Sequence, residues 1–195
     1  LICPTWDVVD AEAGETCIVI DPGVAFGTGL HPSTRGALIL LRRVFEAATP
    51  ETVLDLGCGS GILTLAALAL GARSAVAVDY AKMAAVAARR NFEMNNASGK
   101  VRLFCESALD HTHHPADLVA CNIYFQVIEK LLSDHDFTAH DRIILSGLFG
   151  ETQHIKMLAM IENAGLEHYE TVSENNWFSY LVGSRMSPAK SRIIP

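Results

Sequence analysis

The stretch "TVLDLGCGSGIL", residues 52–63, decides the fold because it joins a strand, a glycine-rich turn and a helix. Its first half is a β-branched, apolar run that reads as a buried strand, and "GILTLAALALGA" has the pattern of a helix. Gly57, Gly59 and Gly61 lie between them. Glycine is needed where a chain turns sharply and where backbone approaches a ligand without a Cβ in the way. The stretch therefore predicts a strand, a ligand-binding turn and a helix.

An acid follows this turn at an informative distance. Asp79 lies 22 residues after Gly57 and ends the next predicted strand, "SAVAVD". A carboxylate there can accept hydrogen bonds from the ribose hydroxyls of an adenosine, and the spacing of the glycines differs from that of dinucleotide-binding turns. The alternative is that the glycines only close a corner and that Asp79 caps a helix starting near Ala81. Because a cap alone does not require three alternating glycines, the pattern favours an adenosine-type ligand.

Strands and helices alternate along the chain. The strand candidates are "TVLDLG", "SAVAVD", "VRLFC", "ADLVACN", "DRIILSGL", "LEHYETVSE" and "WFSYLVGSR". Only "NN" separates the last two, which predicts a hairpin, and we expect helical crossovers between the first five. The prediction is an α/β fold with a Rossmann-like, seven-stranded, mostly parallel sheet, helices on both faces and a C-terminal antiparallel hairpin.

The chain is expected to be one domain, residues 1–195, because it contains no internal repeat and no linker. In open parallel sheets, ligands bind beyond the carboxyl ends of the strands, where the strand order reverses. The residues that end the predicted strands are therefore candidates for a site. They are Gly57, Asp79, Cys105 to Ser107, Asn122, and Ser146 to Gly147.

Charge and composition limit the partners. The formal charge of −7 argues against direct nucleic-acid binding, and an acidic surface could attract a basic protein. Five cysteines without a Cys-x-x-Cys pair favour a reduced, cytoplasmic protein. No leader and no apolar stretch of roughly 20 residues is present, so we expect no membrane association. "HTHHP", residues 111–115, has no acidic or cysteine partner at ligand spacing, so we expect no metal site there.

Several motifs together resemble the PrmA family, the methyltransferases of large-subunit ribosomal protein eleven. They are "DPGVAFGTGLHPST" (residues 21–34), "VLDLGCGSGIL", "AVAVD", "DLVACNI" and "ILSGL", in the order and roughly the spacing of that family. The resemblance implies a methyltransferase that uses S-adenosyl-L-methionine and acts on amino groups of a protein, such as a basic ribosomal protein. The residues assigned to the cofactor are Phe26, Gly27, Thr28, Thr34, Gly57, Gly59, Gly61, Asp79 and Asn122.

The resemblance also implies that the loop "AFGTGLHPST" folds over the methionine end of the cofactor, with Phe26 and Gly27 to Gly29 as cover. Thr34 would hydrogen-bond to the cofactor at the start of the helix "TRGALILLRRVFEAA". Ser33 or Thr34 also fits an N-cap, which is the alternative role for Thr34. His31 is expected to be structural, since nothing in the sequence supplies an orienting acid.

Asn122 is the predicted catalytic residue. It could contact the cofactor and hold an acceptor amine through its side-chain or backbone oxygen, in line with the methyl group. Tyr124 is the nearest aromatic residue for a cation–π contact, with a packed helix face as the alternative.

Two other functions stay open. One is a small-molecule methyltransferase with a lid formed by Leu1 to Glu15, and the other is a binding module without transfer activity. "DYAKM" and "NIY" depart from the family pattern. The family usually carries an N-terminal domain that binds the ribosomal protein. These residues lack that domain and begin at a residue other than Met. We therefore expect this chain to bind the cofactor but to methylate a ribosomal protein more weakly than an intact parent protein does.

Overall fold

The computed structural model describes residues 1–9, 15–21, 23 and 27–184. In these residues the strands are β1 (Ile2–Pro4), β2 (Ile18–Ile20), β3 (Thr52–Leu56), β4 (Ser74–Val78), β5 (Val101–Phe104), β6 (Leu118–Asn122), β7 (Ile143–Phe149), β8 (Leu166–Glu174) and β9 (Trp177–Ser184). The helices are α1 (Pro32–Ala47), α2 (Ile62–Ala69), α3 (Lys82–Met94), α4 (Phe125–Leu131), α5 (His135–Thr138) and α6 (Gly150–Asn163).

Seven of these strands form one sheet in the order β5-β4-β3-β6-β7-β9-β8. The strands from β3 to β7 are parallel, whereas β9 runs antiparallel to both β7 and β8. Asn175 and Asn176 connect β8 to β9 with φ values of 49° and 66°, which a two-residue hairpin turn of this kind needs. The predicted fold is confirmed, including the hairpin signalled by "NN".

Helices cover both faces of this sheet. Successive strand residues point to opposite faces, so Val53 belongs to one core cluster and Leu54 to the other. The first cluster includes Leu41 of α1 and Phe92 of α3, while the second includes Ile128 of α4. In such a three-layer arrangement, ligands bind at the carboxyl ends of the parallel strands.

The structure differs from the prediction in one crossover. Residues 105–117, which connect β5 to β6, contain only a 3₁₀ turn at Ala108–Asp110, so the expected helix between these strands is wrong. This segment has few apolar residues at helical spacing, and Pro115 lacks the N–H that a helix interior requires.

A second, two-stranded sheet pairs β1 with β2 in parallel, apart from the main sheet. Ile18 and Ile20 of β2 enter the core beside α2. Among the described helices, none is long and apolar enough to cross a membrane.

Candidate active site

The strand order reverses between β3 and β6. From β3 the chain builds outward to β4 and β5, and from β6 it builds outward to β7 on the other side. The carboxyl ends of β3 and β6 lie side by side, with Leu56 in register with Cys121. Gly57 and Asn122 therefore end the two strands at the switch point, where ligands bind in open α/β sheets.

The turn after β3 requires its glycines. Gly57, Gly59 and Gly61 have φ values of 78°, 55° and 80°, which residues with a Cβ rarely adopt. A Cβ at Gly57 would also collide with Ile123 Cγ2, and one at Gly61 would collide with the Phe92 ring. The turn therefore presents bare backbone at the edge of the sheet, as the sequence predicts.

Asp79 lies next to this turn at the end of β4 and is 8% exposed. Its Oδ2 accepts a hydrogen bond from the Gly59 N–H at 2.8 Å, and its Oδ1 accepts one from the Ala81 N–H at 2.9 Å. A carboxylate can accept about four hydrogen bonds, so each oxygen retains capacity for a ribose hydroxyl. The turn and the acid thus fit an adenosine, and Asp79 also holds the N–H of Ala81, the N-cap residue of α3.

Thr34 and Asn122 meet although 88 residues separate them. The Asn122 amide donates through Nδ2 to Thr34 Oγ1 at 3.3 Å, and Thr34 is fully buried. In the part of the chain that the structure describes, no donor is bonded to the Asn122 Oδ1. The predicted catalytic amide is therefore oriented by a hydroxyl that is itself fixed in α1.

The N-cap of α1 is His31, so the capping role that the sequence left open as an alternative for Ser33 or Thr34 is wrong. Pro32 has a fixed φ and no N–H, which suits the first helical position and makes the preceding residue the cap. His31 Nδ1 accepts from the Ser33 N–H at 3.3 Å. The His31 ring also packs edge-on against Trp177, with 4.4 Å between centroids.

The loop before α1 contacts the glycine turn. The Gly27 carbonyl accepts a hydrogen bond from Ser60 Oγ at 2.6 Å, and Gly27 has a φ of 102°. Thr28 follows in the same segment, whereas Phe26 lies outside the described residues. The structure thus brings Gly27 to the turn that includes Gly57 to Gly61.

Sequence reasoning missed Ser60, Asn91 and an aromatic pair. Asn91, in α3, is fully buried and its amide bonds both to Ser60 and to the start of the loop at Asp21. An asparagine within an amphipathic helix was the available signal, because its side chain competes with the backbone for hydrogen bonds. Phe149 and Trp177 pack at 5.0 Å beside His31.

Asp55 lies buried beneath the turn. Its Oδ2 accepts from the N–H of Thr64 at 3.1 Å and from Oγ1 of Thr64 at 2.7 Å, while Oδ1 has no protein partner. Burial raises the pKa of Asp55 to about 6, and the two bonds from Thr64 oppose this rise. The charged form therefore costs folding free energy at neutral pH.

The histidines of "HTHHP" interact with one another. His111 Nε2 lies 2.7 Å from Glu106 Oε2, and its Nδ1 lies 3.0 Å from His114 Nε2. Burial and the neighbouring His113 and His111 lower the pKa of His114. Across the described ranges, no three side chains of His, Cys, Asp or Glu are grouped to hold a metal ion.

Tyr124, the N-cap of α4, is 75% exposed and is not on a packed helix face.

A mostly parallel seven-stranded sheet with this glycine turn, this strand-terminal acid and a C-terminal hairpin is the architecture of the class I methyltransferases. A family model sharpens the assignment, since it matches residues 1–185. The chain belongs to the ribosomal protein L11 methyltransferase (PrmA) family. The resemblance seen in the sequence motifs is thereby confirmed.

Individual relatives agree with this assignment. A ribosomal protein L11 methyltransferase of Enterococcus faecalis is 32% identical over 184 residues, which are 93% of this chain and 58% of the relative. One from Streptococcus pyogenes is 36% identical over 152 residues, 77% of this chain and 47% of that protein. The chain thus spans about half the length of these relatives.

Solved structures match the fold. The ribosomal protein L11 methylase of Lactobacillus delbrueckii superimposes with a TM-score of 0.82 at 28% identity, covering 95% of this chain and 94% of that chain. A putative RNA methyltransferase of Pyrococcus horikoshii has a TM-score of 0.67 at 18% identity, covering 82% and 86%. The second similarity is evidence for the fold alone.

Proposed function

We propose that this chain, as one catalytic domain over residues 1–195, binds S-adenosyl-L-methionine and methylates amino groups of a ribosomal protein in the cytoplasm. The observation that carries the proposal is the meeting of Thr34 and Asn122 beside the glycine turn and Asp79. In this proposal Asp79 holds the ribose and the turn lies against the cofactor. Thr34, with the loop that contains Gly27, faces the methionine end.

When bound, the cofactor supplies an electrophilic methyl group on a sulfonium, and transfer requires an amine in line with it. Asn122 can hold that amine, because Thr34 binds the Nδ2 side of the amide and leaves Oδ1 to accept an amine N–H. An amine must be neutral to attack, so exclusion of water around Asn122 would assist by lowering the amine's pKa.

The surroundings of Asn122 suit a cationic side chain. Tyr124 and Phe149, at the ends of β6 and β7, are both exposed, and Phe149 packs against Trp177. Aromatic faces attract ammonium groups, and the net charge of −7 attracts basic proteins. A lysine of a basic protein matches both features. The names of the relatives point to a ribosomal protein as the one that carries it.

Incubation with methyl-labelled cofactor and a bacterial extract tests the function directly. We expect a labelled protein band that contains the ribosomal protein. The purified ribosomal protein should also become labelled when no other protein of the extract is present. A labelled small molecule without a labelled protein would instead favour the small-molecule methyltransferase. Binding of the cofactor without any labelled product would favour the binding module.

Asn122→Ala should slow methyl transfer by about 30-fold, roughly 2 kcal/mol, because the acceptor amine loses the oxygen that aligns it. Single-turnover rates at saturating cofactor measure this loss. Thr34→Val, which removes only the hydroxyl that orients the amide, should slow transfer less than Asn122→Ala. A folded Asn122→Ala protein with the wild-type transfer rate would remove the catalytic role.

A further inference from the structure

Asn91 connects two separate parts of the site. It lies in α3, is fully buried, and uses both ends of its amide. Oδ1 accepts from the backbone N–H of Asp21 at 2.9 Å, and Nδ2 donates to the backbone carbonyl of Ser60 at 2.8 Å. Asp21 begins the loop that leads to α1, and Ser60 belongs to the glycine turn. One buried amide therefore joins the loop to the turn.

Ser60 extends this connection. Its Oγ donates to the Gly27 carbonyl at 2.6 Å and is buried. A Cβ at Gly27 would lie 2.7 Å from that oxygen, so the loop backbone approaches the turn as closely as glycine allows. The backbone at Asp21 and the backbone at Gly27 are thus both bonded through Asn91 and Ser60.

We propose that Asn91 and Ser60 are positioning residues that hold the backbone at Asp21 and Gly27 against the glycine turn, beside the methionine end of the cofactor. The inference rests on the proposed function. Neither side chain need touch the cofactor, because each acts through loop backbone. Backbone that is fixed before binding loses less conformational entropy when the ligand binds, so the two residues should strengthen affinity for the part of the ligand that lies against Gly27.

Two ligands separate positioning from general stability. S-Adenosylmethionine carries the methionine end, whereas 5′-methylthioadenosine keeps the adenosine and lacks the amino-acid part. Calorimetry with Asn91→Ala should show an affinity for S-adenosylmethionine about 10-fold lower, as loss of a buried hydrogen-bonded contact predicts. The affinity for methylthioadenosine should change less than about 2-fold, because the turn and Asp79 still bind the adenosine.

The matched control is Asn95→Ala. Asn95 is the C-cap residue of α3 and also bonds to backbone. Its Oδ1 accepts from the Val19 N–H at 2.9 Å, and its Nδ2 donates to the carbonyls of Val19 and Asn91, each at 2.7 Å, but it is not bonded to the glycine turn. It should leave both affinities unchanged. Ser60→Ala is a smaller change that removes only the hydroxyl. If Asn91→Ala folds poorly, Ser60→Ala should show the same selective loss of affinity for S-adenosylmethionine.

The outcomes are distinct. A wild-type chain that binds neither ligand would overturn the proposed function together with this inference. A wild-type chain that binds both, with Asn91→Ala and Ser60→Ala behaving like Asn95→Ala, would overturn the inference alone. Equal losses for both ligands would also overturn it, because they would show a structural role rather than control of the loop.

A second inference comes from a pair of thiols. Cys3 in β1 and Cys17 just before β2 are free cysteines whose sulfur atoms lie 2.6 Å apart. Cys3 is buried, whereas Cys17 lines an open cleft of about 150 Å³ between β2, α2 and the segment that follows α3. A small molecule that reacts with thiols can therefore reach Cys17 before it reaches Cys3.

We propose that Cys3 and Cys17 form a modification site at which a small-molecule disulfide oxidises the pair. The Cys17 thiolate attacks one sulfur of the reagent and displaces a thiolate, which leaves a mixed disulfide on Cys17. The Cys3 thiolate then attacks the Cys17 sulfur and displaces the second thiolate. The two cysteines lose two protons and two electrons in total, and the reagent is reduced to two thiols.

Oxidised glutathione is the probe, in a Cys105→Ser background that removes the exposed thiol. We expect the chain to lose about 2 Da by mass spectrometry, with Cys3 and Cys17 found in one linked peptide. Cys3→Ser should stop at a glutathione adduct on Cys17, and Cys17→Ser should stay unmodified. The hydrogen bond that the Cys17 thiol donates to Cys3, together with burial, raises the pKa of Cys17, so the reaction should accelerate with pH. A stable glutathione adduct, or no reaction, in the chain with both cysteines would overturn the proposal.

Discussion

Asp79→Ala is expected to weaken binding of S-adenosylmethionine by roughly 30- to 1,000-fold, or about 2–4 kcal/mol. The carboxylate lies at the end of β4 with capacity on both oxygens for ribose hydroxyls, and hydrogen bonds to a charged group are the stronger ones. Titration calorimetry of the folded variant measures the change. Undiminished affinity would remove the ribose role.

A comparison of ligands separates this role from support of the turn. Asp79 also accepts from the Gly59 N–H, so its loss could weaken binding by loosening backbone. S-Adenosylhomocysteine and its 2′,3′-dideoxy analogue differ only in the hydroxyls that Asp79 would bind. Asp79→Ala should therefore weaken the first far more than the second. Equal losses for the two would mean that Asp79 acts only through the turn.

The fold could be predicted because its determinants are local in sequence. Buried strands, glycine-rich or asparagine turns and amphipathic helices each have a sequence pattern that can be recognised within about a dozen residues. The glycine turn and Asp79 belong to this group, since strand ends in a parallel sheet share one edge. The missing helix between β5 and β6 shows the limit, because alternation of elements was extended to a segment whose own composition opposes a helix.

The site could be predicted only in part. The contact of Thr34 with Asn122 joins residues 88 positions apart, and family resemblance rather than spacing placed them together. Asn91 and Ser60 were missed because hydrogen bonds between side chains and distant backbone leave no periodic trace. The cap at His31 was missed for a local reason, since Pro32 was given less weight than the hydroxyl residues that follow it.

Asp55 connects β3 to α2 beneath the glycine turn, and its buried charge lowers the stability of the folded protein. Its Oδ2 receives two hydrogen bonds from Thr64, in the first turn of α2, and so ties the end of β3 to the helix beyond the glycine turn. Its Oδ1 is buried without a protein partner. A buried carboxylate with one oxygen unpaired is costly, and the pKa of about 6 expresses that cost.

Asp55→Asn should therefore increase the free energy of unfolding at pH 7 by about 2–3 kcal/mol. The folded state holds the Asp55 proton more tightly than the unfolded state, whose pKa is near 3.8. Wild-type stability thus falls as pH rises from about 4 to 6, and the cost is complete above pH 6. Asparagine has no charge to bury, so its advantage should be full at pH 7 and should vanish near pH 4. Urea unfolding of both proteins across this range measures the difference.

Thr64→Val is the matched control, with the opposite sign expected. It removes the hydroxyl that stabilises the charged Asp55 and keeps the shape of the side chain, so the pKa of Asp55 should rise further. The loss of stability should be about 1–2 kcal/mol at pH 7 and smaller near pH 4, where Asp55 is neutral. A gain for Asp55→Asn that stays constant with pH would show that packing, rather than the buried charge, is responsible. Retained affinity for S-adenosylmethionine in Asp55→Asn would show that the turn does not need the charge of Asp55 to bind the cofactor.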